Sequence, residues 1–151
     1  MFINNERLKE TPVDEKITLY FASGLFAFES LTRFVLLDIA AAPFFKWLQP
    51  VEKPEIKFLL LDPFIIKKDY YVELEDTLID ELGIEKPGDV LIYTTVTVPE
   101  TGLKAATTNL VGPIIINWRK RKGKQIIIEK EDAAVKHPLA GSYLSKVSSG
   151  G

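Results

Sequence analysis

The sequence predicts a mainly β protein, a small antiparallel β-barrel or sandwich with one short capping helix. Short apolar or alternating runs recur along the 151 residues, nearly all bounded by proline, glycine or charged clusters. Helix-period patterns are scarce. Near the end, two β-branched runs flank a polar link, the pattern of a hairpin.

Taken in order, the segments Ile17–Phe21, Phe34–Asp38, Phe44–Leu48, Ile56–Leu61 and Tyr70–Leu74 read as strands. A helix follows over Asp76–Leu82. Asp76 is its expected N-cap, Leu78, Ile79 and Leu82 form its apolar stripe, and Gly83 suits the position just past its end. Lys86-Pro-Gly-Asp89 is a turn into the next strand. Val90–Val98 has the clearest period of two. It sets Val90, Ile92, Thr94, Val96 and Val98 on one face and Leu91, Tyr93, Thr95 and Thr97 on the other, one of them core and the other half-wet. Pro99–Thr108 is a polar connection. The hairpin then runs from Pro113–Trp118 to Gln125–Glu129, with Arg119–Lys124 as a charged tip and Gly123 available for a positive φ. Successive apolar residues on both arms predict that both faces are covered. A single domain spans 1–147, and 148–151 is a frayed tail with nothing to bury.

Composition narrows the chemistry. Lysine and arginine total 19 against 21 acids, too even a balance for binding nucleic acid or anionic lipid through overall charge. Zero cysteines remove disulfides, thiol nucleophiles and Cys-containing zinc sites, and a lone His137 removes two-His metal sites. His137 precedes a proline, which suits a turn residue. No Gly-x-Ser-x-Gly elbow accompanies it, and Ser142 and Ser145 lie close to the expected tail. Glu73, Glu75, Asp76, Asp80 and Glu81 cluster at the helix, where acids suit the helix dipole; neither a calcium-loop signature nor a phosphate loop is present. No metal or cofactor is expected. The N-terminus lacks an apolar signal region and no run reaches the roughly 20 residues of a membrane span, so the expected location is the cytoplasm.

The near-zero net charge hides a division. Glu52–Glu100 holds 12 acids and 5 bases, whereas Thr101–Lys136 holds 8 bases and 3 acids. Such asymmetry suits steering of a charged partner, or simply two solvated faces. The Arg119–Lys124 tip, with Trp118 beside it, is compatible with a nucleic-acid contact through charge and stacking, and equally with a solubilising hairpin end. Large aromatics stand beside prolines in Ala40-Ala-Ala-Pro-Phe-Phe-Lys-Trp47 and Asp62-Pro-Phe-Ile65, either plugging the barrel ends or forming an apolar patch for a partner.

These segments, in this order, resemble the flagellar assembly factor FliW family. The resemblance is carried by Phe34-Val-Leu-Leu37, Pro43-Phe-Phe-Lys-Trp-Leu-Gln49, Phe58-Leu-Leu-Leu-Asp-Pro-Phe64, Glu81-Leu-Gly-Ile84 and Val96-Thr-Val-Pro-Glu100. Thr107-Thr-Asn-Leu-Val-Gly-Pro-Ile-Ile-Ile-Asn117, Gly123-Lys-Gln125 and His137-Pro-Leu139 complete the set, which covers about residues 20–139. One stretch departs. The family pattern Phe-Pro-Glu-Gly-x-Pro-Gly-Phe-Glu reads here Phe21-Ala-Ser-Gly-Leu-Phe-Ala-Phe-Glu29, without both prolines and the second glycine, which predicts a less rigid loop.

The resemblance implies a non-catalytic binding protein with a small antiparallel β-barrel, monomeric when free, with no membrane or direct nucleic-acid contact. Its implied partners are flagellin, bound before export, and CsrA, a dimeric RNA-binding repressor of flagellin translation, exchanged by mass action. Candidate partner contacts are Phe44, Phe45, Trp47, Gln49, Pro63, Phe64 and Asn109. Glu73, Glu75 and Asp76 are candidates for repelling RNA from bound CsrA. The alternatives are an RNA-binding barrel using residues 119–124 and a hydrolase or ligand barrel with an acid-lined cavity.

Overall fold

The computed structural model describes residues 1–5 and 16–139. Its elements are β1 (Phe2–Asn4), β2 (Lys16–Tyr20), β3 (Arg33–Asp38), β4 (Phe45–Pro50), β5 (Phe58–Leu61), α1 (Pro63–Ile66), β6 (Tyr71–Glu73), α2 (Asp76–Leu82), β7 (Val90–Thr97), β8 (Thr107–Thr108), β9 (Ile114–Asn117), β10 (Lys122–Gln125) and β11 (His137–Pro138). The expected tail and the two serines at 142 and 145 lie outside the described residues.

Seven strands close a barrel in the order β7-β5-β4-β3-β2-β10-β9, with β9 returning to β7 over Val90–Tyr93. Every pair in the ring is antiparallel except β2 and β10, which meet in parallel at Tyr20 and Lys122. The expected antiparallel barrel forms, with one parallel seam. An odd number of strands cannot alternate direction all the way around a closed ring, so seven strands require a parallel pair. The β8–β11 pair extends the end of β7, and β1 pairs with β6 in a separate ribbon.

Alternation along the strands separates an interior from an outer layer. Inside lie Ile17, Leu19, Phe34, Leu36, Leu48, Leu60, Leu91, Tyr93, Ile114 and Ile116, with Phe21 filling the end near β10. On the outside of β7 and β9, Val90, Ile92 and Ile115 are covered by Leu78 and Leu82 of α2, with Ile3, Phe64, Tyr70 and Val72. Val90 to Thr94 is consequently buried on both faces, and the expected half-wet face begins only at Thr95. The alternation turns Leu91 and Tyr93 into the barrel and Val90 and Ile92 outward, where α2 and the β1–β6 ribbon cover them, a cover that sequence alone does not reveal.

Two local expectations move. The N-cap of α2 is Glu75, with extended backbone and no side-chain capping bond; Asp76 is the first helical residue, where its charge meets the positive end of the helix. Gly83 closes the helix at φ 65°, as its position suggested. The Asp62-Pro-Phe stretch, read as loop, forms the one-turn α1. Asp62 accepts the Phe64 N–H at 3.0 Å, and Pro63 fills the first position, where its missing N–H costs nothing. In the hairpin, Asn117 pairs with Lys122, so the connection is only residues 118–121, and Arg121 rather than Gly123 takes the positive φ, at 60°.

Candidate functional site

The loop aromatics divide between core and surface. Phe45 is 5% exposed and packs with Leu61, Ala106 and Leu139 in a cluster outside the barrel wall. Phe64 is 1% exposed, its ring 5.8 Å from that of Tyr70, and Pro63 is buried with it. Asn109 works locally: its Oδ1 accepts the N–H groups of Val111 and Gly112 at 3.0 and 3.1 Å, fastening the bend that leads into β9. Phe44, Trp47 and Gln49 remain within reach of solvent. Trp47 sits in register between Leu37 of β3 and Leu59 of β5, and Val35 lies opposite Gln49. These side chains alternate with the inward Leu36, Leu48 and Leu60, so Val35, Leu37, Trp47 and Leu59 form a half-buried apolar band on the outer face of β3–β5.

The acidic and basic halves of the chain meet each other. Asp89 is almost fully buried; it accepts the N–H groups of Glu85 and Lys86 at 3.0 and 3.2 Å and Arg119 Nε at 2.8 Å. Lys120 faces Glu85 at 3.7 Å and Lys124 faces Glu81 at 2.9 Å. Trp118 donates its indole N–H to the Gly88 carbonyl at 2.9 Å while the Arg119 guanidinium covers its ring at 4.3 Å. The basic run is therefore not a free cationic tip. Lys122 and Lys124 belong to β10, and the Trp118 ring is tied to the turn before β7.

Beside these pairs lies a cleft of about 580 Å³ between α2 and the chain following β10. Leu78, Ile126 and Ile128 supply apolar walls, and Glu73, Glu75, Glu81 and Glu129 line it with Lys124 and Lys130. Lys130 donates to the Tyr71 carbonyl and lies 5.4 Å over the Tyr70 ring, where desolvation lowers its pKa below the usual lysine range. Nearby, Lys67 bridges Asp69 at 2.8 Å and Asp132 at 3.1 Å, and hydrogen bonds to those carboxylates raise its pKa. Glu73, Glu75 and Asp76 are all exposed. The sequence reading missed the part played by residues 126–129, having taken them for a strand covered on both faces. Ile127 is instead 67% exposed. The four charges of Glu129-Lys-Glu-Asp132 immediately after it are the signal that the chain is leaving the core.

Among the described residues, no group of three or more His, Asp or Glu side chains is placed to hold a metal ion. No helix among them is long and apolar enough to cross a membrane. Comparison with known proteins decides the family. The profile described as "FliW protein" matches residues 2–139. The chain belongs to the FliW family of flagellar assembly factors. It is 40% identical over 139 residues to the flagellar assembly factor FliW of Moorella thermoacetica, covering 92% of this chain and 88% of that one. FliW of Treponema pallidum is 34% identical over 146 residues, covering 97% and 96%. A crystal structure of a flagellar assembly factor FliW superposes with a TM-score of 0.76 at 30% identity, covering 93% of this chain and 96% of that one. The resemblance carried by the ordered motifs is thus a family relationship over nearly the whole described FliW barrel.

Proposed function

We propose that this FliW-family chain is a monomeric, cytoplasmic, non-catalytic binding protein. It takes up flagellin and, when free of it, binds a CsrA-type repressor and keeps that repressor from flagellin messenger RNA. The observation that carries the reading is the outward apolar band of Val35, Leu37, Trp47 and Leu59, flanked by Gln49 and by the 39% exposed Phe44. A half-exposed tryptophan among aliphatic side chains has the character of an interface anchor. Phe45 packs beside this surface with Leu59, whereas Pro63, Phe64 and Asn109 hold other parts of the fold, and Glu73, Glu75 and Asp76 supply the charge that repels RNA from bound CsrA.

The test is capture of flagellin and CsrA from the same cell, followed by competition between them. Flagellin added to a preformed complex with CsrA is expected to release CsrA, and Trp47→Ala is expected to weaken capture without unfolding the barrel. Capture of neither partner overturns the reading. Capture of both without competition removes the exchange and leaves an adaptor. The RNA-binding alternative has less support, because three of the five cations between Arg119 and Lys124 face carboxylates of the chain itself. A salt-sensitive shift of random RNA, lost on neutralising Arg121 and Lys122, would restore it.

A further inference from the structure

We infer that the chain following β10 is an open strand edge that accepts an extended segment of a protein partner, one in which apolar and cationic side chains alternate. The pairing of β10 with β9 continues beyond Gln125. The Ile126 N–H donates to the Pro113 carbonyl at 3.0 Å, and the Ile128 N–H donates to the Val111 carbonyl at 2.9 Å. In extended chain, alternate residues direct their N–H and C=O groups to opposite sides. Ile127 and Glu129 therefore turn theirs away from the barrel, and no described residue donates to or accepts from them. The backbone groups of Ile127 and Glu129 form a ready template for one more strand.

The surroundings state what that strand carries. The cleft along the edge has apolar walls in Leu78, Ile126 and Ile128, suited to apolar side chains at every second position. Its charge is set by Glu73, Glu75, Glu81 and Glu129 against Lys124 and Lys130, and Lys124 is already paired with Glu81. The remaining carboxylates of Glu73, Glu75 and Glu129 outnumber the remaining Lys130, so cations are the complementary partners. A helix laid in the cleft would leave the Ile127 and Glu129 backbone groups unused, whereas an extended segment uses edge, walls and rim together. The inference rests on the reading of the chain as a protein-binding FliW, and adds to it a second surface distinct from the Trp47 band.

The experiment uses the full chain and, as probe, a synthetic peptide alternating valine and lysine, with a valine–glutamate peptide as control. Amide exchange at Ile127 and Glu129, read by NMR, is expected to slow on adding the lysine peptide, and the glutamate peptide is expected to have no effect. Ile127→Pro removes the outward N–H while leaving the Ile126 and Ile128 bonds, and is expected to weaken the peptide about tenfold or more. Should that variant not fold, Glu73→Lys with Glu129→Lys is expected to cause a similar loss from the solvated rim. Unchanged exchange at saturating peptide, equal binding of the two peptides, or protection of both amides before any peptide is added overturns the inference. Flagellin and CsrA binding separate it from the function proposed above. Full retention of lysine-peptide binding by a folded Ile127→Pro overturns the edge and leaves that function standing. Loss of both from the unmodified chain, with peptide protection intact, overturns the function and leaves the edge.

Discussion

Gly123 of β10 faces the barrel interior, where an added Cβ would lie 2.4 Å from Cζ of Phe21. The two residues share one space. Phe21 is fully buried and meets Phe34 edge-on, ring centroids 5.0 Å apart, so its ring has no room to retreat. Gly123→Ala is therefore expected to destabilise the fold by about 1–3 kcal/mol through overpacking. Phe21→Leu, which shortens the ring's reach, is expected to recover part of that loss when combined with it. Urea unfolding of the two single variants and the double variant measures this. Simple additivity, with no coupling beyond about 0.5 kcal/mol, would contradict the shared packing.

Ala27 stands where the family pattern has its second glycine, and its backbone is left-handed at φ 70°. Gly24, three residues earlier, has a similar φ of 63° but no side chain to strain. The bend between them holds without the two prolines, through the Phe28 N–H to the Leu25 carbonyl at 2.8 Å and the Phe26 N–H to Gln125 Oε1 at 3.0 Å. Side-chain sterics disfavour this backbone region by roughly 1–2 kcal/mol for an alanine, while glycine enters it freely at some cost in unfolded-chain entropy. Ala27→Gly is expected to raise stability by about 0.5–1 kcal/mol, read as a higher unfolding midpoint at unchanged slope. A lower midpoint would mean that the left-handed turn is not what limits this loop.

The glycine at 123 also shows where sequence reasoning reaches its limit. Read locally, a glycine in a polar link belongs to a turn, and the hairpin was legible from its β-branched runs, although its second strand, Lys122–Gln125, lies mostly in the stretch expected to be the tip. What the glycine accommodates is a ring about a hundred positions earlier in the chain, and no local pattern encodes that. The turn instead closes over residues 118–121, with Arg121 in the left-handed region. The same limit applies to the aromatics. Proline-flanked Phe45 and Phe64 could have capped the barrel or coated it, and only the positions of Ala106, Leu139 and Tyr70 decide that they are enclosed. Strand periodicity, by contrast, depends on neighbours in sequence: β2 to β7 and β9 overlap the runs that show it, whereas the short β1, β8 and β11 carry no pattern of their own. Charge was legible as two opposed segments. That Asp89, Glu85 and Glu81 would meet Arg119, Lys120 and Lys124 depended on the helix α2 folding back over the hairpin.

Tyr70 gives the fold a defined alkaline limb. Its hydroxyl donates to the Leu110 carbonyl at 2.7 Å within the layer that covers β7 and β9, and burial pushes its pKa far above the usual phenol range. In the unfolded chain the same phenol ionises near pH 10. Above that pH the unfolded state binds fewer protons than the folded one, so stability falls as pH rises, by about 1.4 kcal/mol per pH unit from this group. Tyr70→Phe is expected to lower stability at neutral pH by about 1–3 kcal/mol, because the Leu110 carbonyl loses its buried donor. It is also expected to flatten the decline above pH 10 relative to the unmodified chain. Denaturant midpoints between pH 8 and about 11 measure both effects. Parallel alkaline limbs in the two proteins would place the titration elsewhere.

Glu73, Glu75 and Asp76 allow the electrostatic part of the proposed exchange to be separated from binding itself. All three are exposed, on the ribbon end and first turn beside the cleft, and repulsion of RNA needs no contact with it. Replacing all three with lysine is expected to relieve displacement of RNA from CsrA more than it weakens capture of CsrA. The difference should be largest at low salt, since screening shortens the reach of exposed charges to about 10 Å at 0.1 M. Asp76→Lys also opposes the helix dipole, costing about 0.3–1 kcal/mol, so the unfolding midpoint of the variant must be measured alongside. If the variant stays folded and displaces RNA at low salt as well as the unmodified chain does, repulsion by these acids is not the means of exclusion. Equal losses in capture and displacement would instead make them ordinary contact residues.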